Sequence, residues 1–200
     1  MPRPSVRDRL LAAGLETLRT QGFNGCGVQD ITDAAGVPKG SFYNHFDSKE
    51  ALGAAVVDQY MRVGEERLAP LHDTSLTPLR RLRTYFAAQV DMLVETKFEC
   101  GCLLANFAAE LADHSPLIRE RVAASFAEWA RRIEDVLREA QAAGEVAADV
   151  SPDMLATFLL SAWEGAVLRA RVEKARAPLD GFLWLAFDRA LSQGAPGCTR

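Results

Sequence analysis

An all-α fold is predicted by three features of the sequence. Apolar residues recur at three- and four-residue spacing along most of the chain, and no stretch alternates apolar and polar as a half-buried strand does. Prolines and capping residues stand where helices would start, as at Pro116, Ser151-Pro152 and Pro178. Glycines stand where helices would stop, as at Gly22, Gly36 and Gly144. About nine helices are expected, arranged as three short helices, a linking helix and a larger bundle.

The first helix runs from Val6 to Gln21, with Val6, Leu10, Leu11, Ala13, Leu15 and Leu18 on one stripe and Gly22 as its stop. "GVQDITDAAG" forms a second, ended by Gly36, and "PKGSFYNHF" a third, with Pro38 near its first turn, where a missing N–H matters little. The linking helix is expected over about residues 48–68, before Pro70, with Asp47 or Ser48 as its cap and Glu50 placed for a capping box. Then come "LTPLRRLRTYFAAQVDMLVETKF", "GCLLANFAAELADH", a long helix from Pro116 to near Gly144, a helix from Pro152 and a last one from Pro178. The tail "SQGAPGCTR" is expected to fray.

At 200 residues and 48% hydrophobic content the chain is long enough for a sizeable core. No run approaches the roughly 18 apolar residues of a membrane span, and "MPRPSVRDRLL" lacks the apolar centre of a signal peptide, so a cytoplasmic protein without a membrane partner is expected. Cys26, Cys100, Cys102 and Cys198 are too few and too unevenly spaced for a disulfide framework. The net charge of −4 excludes a globally basic nucleic-acid binder. Even in residues 1–50, six Lys or Arg balance six Asp or Glu, so any DNA contact must use a few placed cations.

The densest motif is "VPKGSFYNHFDSKEA", residues 37–51. Two short helices joined by "AAGVPKG" have the length and glycine-containing turn of a helix-turn-helix, whose second helix enters the major groove by its N-terminal residues. Phe42 and Phe46, at i and i+4, would form a small core with Ile31, Ala34 and Val37, leaving Lys39, Ser41, Tyr43, Asn44 and His45 on other faces. An exposed set of that kind has no core explanation. Gly40 leaves backbone open to close approach, and Lys49 at a helix start would hold a phosphate together with free N–H groups.

The segment "GFNGCGVQDITDAAGVPKGSFYNHFDSKEALGAAVV" resembles the N-terminal DNA-binding domain of the TetR family of transcriptional repressors. The match covers about Val6 to Val57; the remainder agrees in length and helix count. The resemblance implies a helix-turn-helix DNA-binding domain over residues 1–50 and a C-terminal helical-bundle ligand-binding and dimerisation domain over residues 51–200. It implies that Gln29, Lys39, Gly40, Ser41 and Asn44 face base edges, and that Tyr43, His45 and Lys49 face the phosphate backbone. One departure is Gly27, preceded by Cys26, where the family usually has a capping Thr or Ser; glycine is a weaker cap and offers no hydroxyl to phosphate. The partners implied are a palindromic double-stranded DNA operator, a second copy of the chain and a small-molecule effector, with recognition helices about 34–36 Å apart in the dimer.

Two apolar C-terminal helices point independently to a dimer. Phe158, Ala162, Val167, Phe182, Leu185 and Phe187 are the expected interface residues, in a two-fold four-helix arrangement; taken singly, each also suits ordinary core. Phe86, Gln89, Met92, Phe98, Cys102, Asn106, Phe107, Glu110, Trp129 and Trp163 are the expected effector-binding residues, while the aromatic residues and Met equally suit a core. The motif "GCLLANFAAELA" resembles a TetR subgroup that responds to reactive electrophiles or small unsaturated acids, with Cys102 near the pocket. Cys102 or Cys100 as a modified sensor thiol is therefore an alternative to reversible effector binding, beside a structural role. A thiol enzyme is the weakest alternative, since His114 is the one nearby histidine and lacks an orienting partner. No cofactor or metal is expected, because C-x-C with His114 is an incomplete zinc set. Arg80, Arg81 and Arg83 read as a solvated helix face.

Overall fold

In a computed structural model of the chain, residues 4–192 are described; Cys198 and the tail beyond Ser192 lie outside them. Nine α-helices and no strand are present among the described residues. They fall into two compact units that interleave along the sequence.

The first unit holds residues up to 64 together with residues 100–126. It contains α1 (Val6–Gln21), α2 (Val28–Ala35), α3 (Lys39–Phe42), α4 (Lys49–Gly64), α6 (Leu103–Leu111) and the start of α7 (Pro116–Ala142). Ser5 caps α1: its Oγ accepts from Asp8 N–H at 3.1 Å, and Asp8 Oδ2 accepts from Ser5 N–H at 3.2 Å. The Ser5 hydroxyl also donates to Asp8 Oδ2 at 2.7 Å, and this bond, together with the one from Ser5 N–H, holds the Asp8 carboxyl below its usual range. Ser48 caps α4, accepting from Ala51 N–H at 3.0 Å. Leu10 and Leu18 of α1 and Leu52, Val56 and Val57 of α4 are fully buried, and Gly14 permits the close crossing, since a Cβ there would stand 3.1 Å from Leu52 Cδ2.

The second unit holds residues 65–99 and the chain from 127 onward. It contains a 3₁₀ segment (Glu65–His72), α5 (Pro78–Glu95), the rest of α7, α8 (Pro152–Glu173), α9 (Ala177–Leu185) and a π-helical turn (Ala186–Ala190). The linking helix thus ends its α-helical course at Gly64 rather than near Leu68 and tightens to 3₁₀ geometry, with Pro70 inside the tightened part. Proline cannot supply the N–H that an α-helical continuation requires. The core is aromatic: the Phe86 ring lies 5.2 Å from Trp163, 5.1 Å from Phe182 and 5.7 Å from Phe187.

Arg81 overturns the expectation of a solvated arginine face. It is buried, donates from Nη1 to the Leu71 carbonyl at 3.0 Å, and its Nη2 pairs with Glu139. Arg80 is exposed as expected, and Arg83 pairs with Asp188 at 3.0 Å. A buried guanidinium persists where its donors meet a carbonyl and a carboxylate. Arg81→Met is expected to lower stability by about 1–3 kcal/mol, the range for a buried partner left unsatisfied. Urea unfolding of the full chain measures this, and an unmoved midpoint would contradict it.

Candidate functional site

The candidate DNA-reading surface is built on the turn from α2 into α3. Gly36 closes α2 in the left-handed conformation (φ 62°, ψ 40°), its N–H bonded to Asp33 O at 3.0 Å. Arg9 of α1 reaches across, donating from Nη2 to the carbonyls of Ala35 at 2.6 Å and Gly36 at 2.8 Å. A cation thus satisfies the last carbonyls of α2 and fixes the turn angle. The residues themselves give no sign of this, because Arg9 and Ala35 stand 26 positions apart.

After the turn, α3 is a single helical turn, Lys39–Phe42, rather than the longer helix expected through Phe46. The N–H groups of His45 and Phe46 both return to Phe42 O, at 2.9 and 3.0 Å, which ends the helix while keeping the aromatic residues together. Ile31, Val37, Phe42 and Phe46 are buried as expected; Ala35 rather than Ala34 completes that core. Phe42 packs on Phe46 at 5.8 Å and edge-on to Tyr43 at 5.2 Å. The Tyr43 ring is propped by the core yet 56% exposed.

Lys39, Gly40, Tyr43, Asn44 and His45 are exposed side by side and Ser41 is half-buried. Beyond its chain neighbours and its own helix backbone, no atom of the described residues lies within 4 Å of a Cβ built on Gly40, so no such contact requires glycine there. Gln29 is exposed, its amide donating to Asp33 Oδ1 at 2.7 Å. At α2's start Gly27 caps without a side chain, and Asp30 compensates by accepting from Gly27 N–H at 2.7 Å. Lys49 departs from its expected role: it is turned inward, with Nζ donating to the Phe23 and Cys26 carbonyls and lying 4.2 Å from the Phe23 ring centre. Two carbonyls and a π face satisfy the ammonium where a helix N-terminus disfavours it. Burial pushes the adjacent Cys26 thiol up, with Lys49 opposing.

The expected effector-binding residues divide between the units. In the first, Cys102 is the buried N-cap of α6, Asn106 is half-buried and Phe107 is fully buried. Glu110 differs from the expectation of a pocket-lining acid, since its carboxylate accepts from Phe23 N–H at 3.0 Å and Asn24 N–H at 2.7 Å. In the second, Phe86 and Trp163 are core aromatics, Met92 is half-buried, and Phe98 is buried in a left-handed turn (φ 57°) whose carbonyl accepts from Lys174 Nζ at 2.9 Å. The Trp129 indole N–H and the Gln89 amide nitrogen are buried and have no acceptor among the described residues. A half-open hollow of about 380 Å³, lined by Val146, Ala147, Asp149, Val150, Leu155, Ala190 and Leu191, was not foreseen.

On the expected dimer surface, Phe158 and Leu185 are exposed, at 64% and 59%, and Ala162 is half-buried. Val167, Phe182 and Phe187 instead belong to the second unit's own core, because they lie on the inner faces of α8, α9 and the π-helical turn. The exposed face of α8 is completed by Met154, Leu168 and Val172, with Ser161 and Gly165 between them, and α9 adds Trp184. Among the described residues, no helix is long and apolar enough to cross a membrane, and no group of three or more His, Cys, Asp or Glu could hold a metal.

Residues 10–56 match the family described as "Bacterial regulatory proteins, tetR family", and residues 78–184 match "Tetracyclin repressor-like, C-terminal domain". The HTH-type transcriptional repressor DhaR of Mycobacterium sp. (strain GP1) is 41% identical over 96% of this chain and 95% of its own length. The transcriptional regulator AcuR of Cereibacter sphaeroides is 38% identical over 86% of this chain and 80% of its own. A crystal structure of a regulatory protein TetR from Rhodobacter sphaeroides superposes with a TM-score of 0.86 at 37% identity, over 93% of this chain and 98% of that one.

Proposed function

The chain belongs to the TetR family of bacterial transcriptional regulators, and we propose that it represses by binding a two-fold symmetric operator in the cytoplasm as a homodimer, which a small effector releases. It is a regulator of transcription and not an enzyme. The observation that carries the reading is the exposed row Lys39, Gly40, Tyr43, Asn44 and His45, backed by the buried pair Phe42 and Phe46. Lys39, Gly40, Ser41 and Asn44, with Gln29, read base edges; Tyr43 and His45 contact phosphates. The inward-turned Lys49 holds the carbonyls of Phe23 and Cys26, and a contact of its own to phosphate requires it to leave them.

The dimer forms through the apolar face of α8 and α9. Met154, Phe158, Leu168 and Val172 flank Ser161 and Gly165, and small residues let a symmetry-related helix approach closely. The effector occupies the helical bundle, where a carbonyl or carboxylate oxygen would satisfy the Trp129 indole N–H or the Gln89 amide. Selection of bound duplexes from random DNA by the full-length protein tests the reading. An enriched inverted repeat is expected, and the absence of any enriched sequence would refute it.

A second reading is favoured by the position of Cys102 as N-cap of α6, where the first N–H groups have no partner within the helix. Treatment with an electrophile such as N-ethylmaleimide is then expected to release wild-type protein from the selected duplex but not Cys102→Ser. Equal release from both would exclude the thiol as the sensor.

A further inference from the structure

The turn joining α1 to α2 is held by two opposite charges from other helices. From α6, the Glu110 carboxylate accepts from its N–H groups, with Oε1 3.0 Å from Phe23 N and Oε2 2.7 Å from Asn24 N. From α4, Lys49 Nζ donates to its carbonyls, those of Phe23 and Cys26. The Phe23 ring completes the attachment, edge-on to Phe107 of α6 at 5.8 Å and close enough to Gly53 that a Cβ there would stand 3.0 Å from Phe23 Cε2. Gly22 makes room for the acid: it sits at φ 78°, and a Cβ on it would meet Glu110 Oε1 at 2.7 Å. A local cap would come from within the turn, whereas Glu110 lies 87 positions from Phe23.

We propose that Glu110 is a positioning residue for DNA recognition, fixing the α1–α2 turn, and with it α2 and α3, onto α6. α2 starts at Val28, directly after the held turn, and leads into α3 through the Gly36 turn. The inference rests on the reading above that this chain binds an operator. Electrostatics alone gives the opposite expectation for removing Glu110, because deleting a negative charge near a DNA-binding surface strengthens attraction to phosphate. A loss of operator affinity on its removal is therefore diagnostic of positioning.

The test compares full-length wild type, Glu110→Gln and Glu110→Ala by fluorescence anisotropy on the duplex that wild type selects and on a scrambled duplex, alongside hydrogen exchange of the turn. Glu110→Ala is expected to weaken the selected duplex by about tenfold or more without weakening the scrambled one, and to speed exchange at Phe23 and Asn24, with Glu110→Gln in between. Unchanged or tighter operator binding in a folded Glu110→Ala protein would overturn the positioning role, and unchanged exchange would overturn the tie itself. Should Glu110→Ala lose its cooperative melt, Glu110→Gln decides by the same two readouts. A wild type that selects no duplex refutes the operator-binding reading, and exchange then decides the tie alone.

Discussion

Lys39→Ala and Tyr43→Ala are each expected to weaken operator binding by about thirtyfold or more while leaving fold and dimer intact. Both side chains are exposed, and Tyr43 meets the core through its edge-to-face contact with Phe42. A base-edge contact accounts for about 1–3 kcal/mol of discrimination, and in a symmetric dimer every substitution acts twice. The two variants should fail differently. Loss of Lys39 should relax the preference at one position of each half-site, whereas loss of a phosphate contact at Tyr43 should weaken all sequences evenly and flatten the salt dependence. Anisotropy titrations at two salt concentrations measure both. Wild-type affinity in either variant would remove that residue from the interface.

The second large effect is expected at the dimer surface. Phe158→Glu combined with Leu168→Glu places four carboxylates against one another across a two-fold axis, in a region that would otherwise bury apolar surface. The paired change should convert the protein to a monomer at micromolar concentration, and with it abolish cooperative binding to both half-sites. The fold should survive, since both side chains lie on the exposed face of α8 while Leu159, Trp163 and Val167 fill the inner one. Light scattering after size exclusion decides. A dimer of unchanged mass would contradict the assignment of this face.

Where local chemistry sets the structure, the sequence was legible. α1 occupies Val6–Gln21 as expected, because apolar spacing and the Gly22 stop act within a few residues. The burial of Phe42 and Phe46 and the exposure of their neighbours follow equally from helical spacing. Distant pairing was not legible. Arg81 reads as one of three surface arginines until Glu139, 58 positions on, meets it. Glu110 reads as a scarce polar group of a pocket until the α1–α2 turn meets it. Lys49 reads as a phosphate ligand until the Phe23 and Cys26 carbonyls are seen to surround it. Nor could apolar content tell which face of α8 is inner: Val167 and Leu168 are adjacent and both apolar, yet one is core and the other exposed. The length of the α-helical part of the linking helix failed for a local reason, the tightening ahead of Pro70.

Two copies of a sparse, placed contact set are expected to read adjacent turns of one duplex, in a protein whose net charge of −4 gives no general attraction to DNA. Hydroxyl-radical footprinting of the wild-type protein on its selected duplex tests it most directly. Two protected patches related by a two-fold axis, centred about one helical turn (10–10.5 base pairs) apart or a multiple of it, are predicted. A single patch, or uniform protection without symmetry, would contradict it.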